Sequence, residues 1–117
     1  MAHAASEAGA PQGPASATGA GPPTVSVVIC TKDRPEDLLR AVASVRASGD
    51  TGRQVEIVVV EEAAAPRRIP DVRYVHLPPE GRGFAHARNV GVAEAAGDIV
   101  AFLDDDCEAE HGWLDAL

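Results

Sequence analysis

The chain has 117 residues, about one domain's worth, and sets 18 acidic against 10 basic side chains for a formal net charge of −8. That balance leaves no basic face for a duplex nucleic acid, and no stretch approaches the roughly 18 consecutive apolar residues of a membrane-spanning helix. Cys30 and Cys107 are isolated, with no CxxC pair or histidine cluster, which argues against structural zinc and for a reducing, cytoplasmic setting.

The first 23 residues are almost entirely Ala, Gly, Pro, Ser and Thr. They bring too little bulk to bury against the entropy of ordering, so a disordered tail over 1–23 is expected, with the folded unit spanning 24–117. The tail has neither the basic start nor the continuous apolar run of a signal peptide. Val25 to Cys30 is a β-branched apolar run and predicts a buried strand. Thr31 to Asp37 reads as a loop feeding a helix, with Asp33 and Glu36 at capping-box spacing and Pro35 in the first turn. Leu38, Val42 and Val45 continue that helix at its own period, and Ser48-Gly49 closes it.

Val55 to Val60 predicts a second strand and Val72 to Leu77 a third. Pro78 to Gly83 must be a loop, followed by a second helix from Phe84 to about Ala96 that Gly97 stops. Asp98 to Leu103 predicts a fourth strand, which runs straight into Asp104-Asp105-Asp106. Continuous apolar strands separated by helices imply an α/β fold: a mainly parallel sheet with helices on both faces. A Rossmann-like half orders such strands 3-2-1-4 and binds ligands at the strands' carboxyl ends, where the first and fourth are neighbours. The Cys30–Asp33 loop and the aspartate triplet then lie side by side.

Three carboxylates after a buried strand repel one another and call for counter-charge. A hard divalent ion, Mg2+ or Mn2+, that also touches a diphosphate fits; so does a solvated acidic loop. Arg88, on a helix entered from a Gly-rich loop, has the planar fork that suits phosphate oxygens, although a surface arginine reads the same way. Glu61-Glu62 ends the second strand where a carboxylate would meet a ribose or base, or merely solvent. Gly81-Arg82-Gly83 does not make a dinucleotide fingerprint, because His86 holds the third glycine position and the loop follows the third strand. His86 and His111 are lone histidines without an evident partner.

These pieces together resemble glycosyltransferase family 2 of the GT-A superfamily. The matching stretches are Val25 to Arg34, Gly83-Phe84-Ala85-His86-Ala87-Arg88-Asn89-Val90-Gly91, and Ala95 to Asp106, with Trp113-Leu114 following. The resemblance covers Thr24 to Leu117 and rests on the order and spacing of the pieces. It implies a nucleotide-diphosphate sugar donor, an acceptor that is a glycan, lipid or small molecule, and Mg2+ or Mn2+ as cofactor. It implies that Thr31 lies against the nucleobase and Arg88 approaches the diphosphate. Asp104 would contact the ribose or sugar and share the metal with Asp106, Asp105 would assist, and Glu61 would recognise the base.

Family members invert the anomeric centre, with a carboxylate base activating the acceptor hydroxyl. That base is expected beyond Leu117, because the chain stops eleven residues after Asp106. The resemblance therefore reaches only the amino-terminal, donor-binding half, truncated after the DxD motif, cytoplasmic or at the inner membrane face in a longer form. Glu61-Glu62-Ala63-Ala64 departs from the family's Asp-Asp-Gly-Ser, and Lys32-Asp33 from its Tyr-Asn, leaving less aromatic surface for a base. A second reading, a catalytically inactive remnant or nucleotide-binding module, follows from the same departures. A nucleotidyltransferase ranks lower, because the loop after the first strand has no glycine. The chain alone is expected to be marginally stable or aggregation-prone, with a sheet edge and an apolar face open.

Overall fold

A computed structural model describes residues 2–6, 22–48 and 52–117. The elements in chain order are β1 (Ala2–Ser6), β2 (Val25–Lys32), α1 (Pro35–Arg46), β3 (Val55–Glu62), β4 (Arg73–Leu77), α2 (Phe84–Glu94), β5 (Ile99–Leu103) and a 3-10 turn (Leu114–Ala116). The four strands expected from the sequence are β2 to β5. They form a parallel sheet in the order β4-β3-β2-β5, the expected 3-2-1-4.

The central strands β2 and β3 are apolar on both faces because each face is covered. Val27, Ile29, Ile57 and Val59 point to one side and pack with Leu38, Ala41, Val42 and Val45 of α1. Val28, Cys30, Val58 and Val60 point to the other and meet Ala87 of α2. Burying these branched side chains contributes roughly 1.5–3 kcal/mol each. After the aspartates the chain returns to the α1 face. Trp113, Leu114 and Leu117 join the larger cluster there, and Arg53 donates to the carbonyls of Leu114 and Leu117 at 3.2 and 2.9 Å.

Two local expectations need correcting. Asp33 does not cap α1: it adopts a left-handed φ of 57°, and Arg34 is the N-cap with no side-chain cap bond. Pro35 accounts for this, since it pushes the residue before it out of helical geometry and fills N1 without needing a partner for an amide. Within the tail, Ala2–Ser6 forms β1 and runs antiparallel to β5, Ala2 opposite Leu103 and Ser6 opposite Ile99. An unpaired strand edge offers main-chain donors and acceptors to any extended segment, whatever its side chains. Met1 and residues 7–21 of the expected disordered stretch, and Gly49 of the expected helix stop, lie outside the described residues.

Gly97 sets how closely α2's exit approaches the sheet. A Cβ there would stand 2.8 Å from the Ser26 amide nitrogen and 2.9 Å from the Val25 carbonyl carbon, both backbone atoms that cannot swing aside. Gly97→Ala should therefore cost about 1–3 kcal/mol, lowering the thermal midpoint by roughly 5–15 °C in a circular-dichroism melt.

Candidate functional site

The carboxyl ends of β2 and β5 are tied together by one side chain. Thr31 Oγ1 donates to Asp105 Oδ2 at 2.8 Å, and Arg34 Nη1 lies 3.4 Å from Asp105 Oδ1. Both Asp105 oxygens are thus engaged within the protein, and its carboxylate is largely covered. Asp105 acts as a brace between the two loops.

The residues on either side of it behave differently. The Cys107 amide donates to the Asp104 carbonyl at 3.0 Å, closing a tight turn with Asp105 and Asp106 at its centre. This fold of the backbone gathers Asp104, Asp106 and Cys107, whose ligating atoms all lie within 4.8 Å of one another. Two carboxylates on a tight turn suit a hard divalent cation that completes its shell with phosphate and water. The donor set therefore fits the cation that the sequence leads one to expect.

Arg88 sits on the first turns of α2, which starts at Gly83 with φ 95°. Its guanidinium carbon lies 5.2 Å from the centroid of Phe84 and 5.5 Å from that of Phe102, so it stacks where α2 meets β5. The Cys30 thiol is buried near the end of β2. Burial pushes it up to about 11; the Arg88 charge opposes that shift, and the carboxylates of Asp105, Glu62 and Asp104 add to it. One buried atom thus feels Arg88, the turn and β3 together.

The sign of that shift sets a test. The folded state holds the Cys30 proton more tightly than the unfolded chain, so its contribution to stability is complete below about pH 9 and is lost as pH climbs through 11. At about pH 8 a disulfide reagent should react quickly with one thiol, Cys107, and with Cys30 only on unfolding. Two fast equivalents in the folded chain would contradict the burial of Cys30.

A small cleft of about 160 Å³ opens beside the brace, lined by Cys30, Thr31, Lys32, Glu62, Gly81 and Phe84. Glu62 is the acidic group facing it, with Lys32 Nζ 3.8 Å from its Oε1. Gly81 makes this possible. At φ 20° it lies directly against the Glu62 carboxylate, where any side chain would overlap it.

Glu61 is not part of this gathering. It shares the face of Ile57 and Val59, is completely buried, and takes Arg67 Nε at 2.9 and 3.0 Å on its two oxygens and the Tyr74 hydroxyl at 2.5 Å. The bond to Glu61 holds the Arg67 guanidinium above its ordinary value, against the opposing effect of burial. Burial, and then the same carboxylate, raise the Tyr74 phenol. Side chains alternate along a strand, so adjacent glutamates face opposite ways. That parity, counted from Val58 and Val60, is the signal in the sequence that separates Glu62 from Glu61, and the expectation that Glu61 meets the base did not use it.

The larger depression, of about 500 Å³, lies at the strands' amino ends around Gln54, Glu56 and Gly97. Its polar groups serve one another. Glu56 accepts from Ser26 Oγ at 2.5 Å and from the Ala96 amide at 2.6 Å. Burial raises the Glu56 carboxyl, but these bonds and Arg73 outweigh it and leave it lowered. The chemistry gathers at the other end. His86 is half-buried and His111 exposed, and neither lines either depression. Among the described residues no helix is long and apolar enough to cross a membrane.

The family described as Glycosyl transferase family 2 matches residues 26–117. The chain is 37% identical over 99 residues to the pre-mycofactocin glycosyltransferase of Mycobacterium tuberculosis, an overlap covering 80% of this chain and 20% of that protein. Among solved structures it resembles S. aureus TarS, with a TM-score of 0.69 at 20% identity over 80% of this chain and 30% of the other. It also resembles the mannosyltransferase PcManGT of Pyrobaculum calidifontis, solved with GDP-Man and Mn2+, with a TM-score of 0.57 at 28% identity over 72% and 28% of the two chains. The matched region spans less than a third of the length of the curated relatives compared, from 11% to 32%.

Proposed function

The chain belongs to glycosyl transferase family 2, and from that membership we propose that it forms the donor-binding part of a transferase acting on a nucleotide-diphosphate sugar. The observation that carries this reading is the Asp104–Cys107 turn, locked through Asp105 to Thr31 and Arg34 at the carboxyl ends of β2 and β5.

In this reading Asp106 and Asp104 would hold Mg2+ or Mn2+. A bound cation supplies Lewis-acid neutralisation of the charge that builds on the departing nucleoside diphosphate. Arg88 binds a phosphate oxygen from the α2 side, its guanidinium steadied by the two phenylalanine rings. Thr31 and Cys30 form the floor beneath the nucleoside. Glu62, not Glu61, faces the base, because Glu61 is committed to Arg67 and Tyr74. Asp105 holds the two loops at fixed separation, so that diphosphate and nucleoside groups bind a preformed edge. The transferase reaction in this reading is transfer to an acceptor hydroxyl with inversion, which takes a carboxylate base.

The test is a calorimetric titration of UDP-, GDP- and dTDP-sugars into the untagged chain, with and without Mn2+. Cation-dependent binding of at least one donor is expected. A folded chain that binds none of them would overturn the reading.

A further inference from the structure

We propose that Cys107 supplies a third, sulfur donor to the cation, so that this chain prefers softer divalent ions than a pair of carboxylates would select. The inference rests on the cation-dependent donor binding proposed above and concerns which atoms of this chain take part in it.

The turn geometry carries the argument. Asp104 and Cys107 are its first and last residues, linked by the 3.0 Å amide-to-carbonyl bond, so their side chains leave the backbone close together. Cys107 Sγ lies 3.6 Å from Asp106 Oδ1, and the three donor atoms fit within 4.8 Å. Two ligands at about 2.1 and 2.3 Å from one ion at a tetrahedral angle are about 3.6 Å apart, so the Asp106–Cys107 pair is already spaced for one ion and a side-chain rotation of about 1 Å brings in the widest of the three. The carboxylate that might otherwise have been the third ligand is held elsewhere, by Thr31 and Arg34. Cys107 is also seated: it packs against the main core cluster and does not wave in solvent.

Carboxylate oxygens favour Mg2+ and Mn2+, whereas a thiolate raises affinity for Zn2+, Co2+ and Cd2+. The sulfur binds as thiolate and its proton leaves to solvent, so binding releases a proton in addition to any displaced from the nucleotide.

The experiment titrates CoCl2, CdCl2 and MnCl2 into the untagged chain in the presence of UDP or GDP, for wild type, Cys107→Ser and Asp106→Ala. Wild type should develop a thiolate-to-cobalt charge-transfer band in the near ultraviolet. Cys107→Ser should lose that band and on the order of tenfold or more in Cd2+ affinity, while its Mn2+ affinity changes far less. Asp106→Ala should weaken all three ions.

If wild type binds Co2+ without the band, sulfur is not a ligand, and Mn2+-dependent nucleotide binding in the same samples would leave the functional reading standing. A band that survives in Cys107→Ser would belong to Cys30 and would equally overturn the inference. Should no divalent ion bind at all, the cation reading falls and this one with it. The wild-type spectrum decides the matter even if Cys107→Ser fails to fold.

Discussion

Replacing Arg67 with alanine is expected to destabilise the chain by about 3 kcal/mol and lower its thermal midpoint by roughly 10–20 °C. The replacement leaves the Glu61 carboxylate, completely buried, with the Tyr74 hydroxyl as its remaining partner among the bonds described. An unpaired charge in that position is far more costly than an absent one. The loss sits at the low end of what breaking a buried pair costs, because the Arg67 side chain is one-third exposed and water screens part of the attraction. Replacing Glu61, Arg67 and Tyr74 together with Leu, Leu and Phe should recover most of the stability, since it removes the buried charge along with its partners. Melts of the single and triple variants check both statements. A change under about 0.5 kcal/mol for Arg67→Ala would mean that solvent reaches Glu61.

Asp106→Ala should do the opposite, sparing the fold and removing the function. Asp106 is exposed on the turn, so its loss should move stability by no more than about 0.5 kcal/mol. Losing one of two carboxylates from the proposed cation site should remove several kcal/mol of charge neutralisation, on the order of a 100-fold or larger loss in Mn2+-dependent nucleotide affinity. Asp105→Asn is the informative contrast. It replaces a charged acceptor of Thr31 and Arg34 with a neutral amide, so it should cost about 1–3 kcal/mol of stability as well as affinity. Calorimetric titration with Mn2+ and UDP or GDP, paired with a melt of each variant, separates the two roles. Equal loss of stability in both variants would mean that Asp106 is structural too.

Much of this was legible in the sequence, and for a clear reason. Val27-Val28-Ile29 and Val58-Val59-Val60 are unbroken apolar runs, and only a strand covered on both faces needs such a run. That alone dictated a parallel sheet, hence helices between strands, hence a ligand edge where β2 and β5 end. Thr31 and the aspartates followed from position in that frame.

What stayed hidden depends on directions and partners that one-dimensional spacing does not carry. Glu61 and Glu62 read as one acidic pair until strand alternation sends them to opposite faces. Arg67 lies in a loop with no periodicity, and nothing in its spacing pointed to a buried carboxylate six residues back. Arg34 displaced Asp33 as the helix cap because proline's steric demand outweighed the capping-box pattern. β1 could not be found from composition, because the bonds that hold a strand to a sheet edge belong to the main chain.

The register of β1 has a practical consequence. Ala2 lies opposite Leu103, the residue just before the aspartates, and the two strands run antiparallel. Anything fused ahead of Ala2 is therefore led alongside Asp104. A polyhistidine purification tag in that place would deliver a strong chelator to the cation site and could supply ligands that the native chain does not own. Metal affinities measured on such a fusion would describe the tag as much as the protein, and a carboxyl-terminal or cleaved tag is the appropriate preparation.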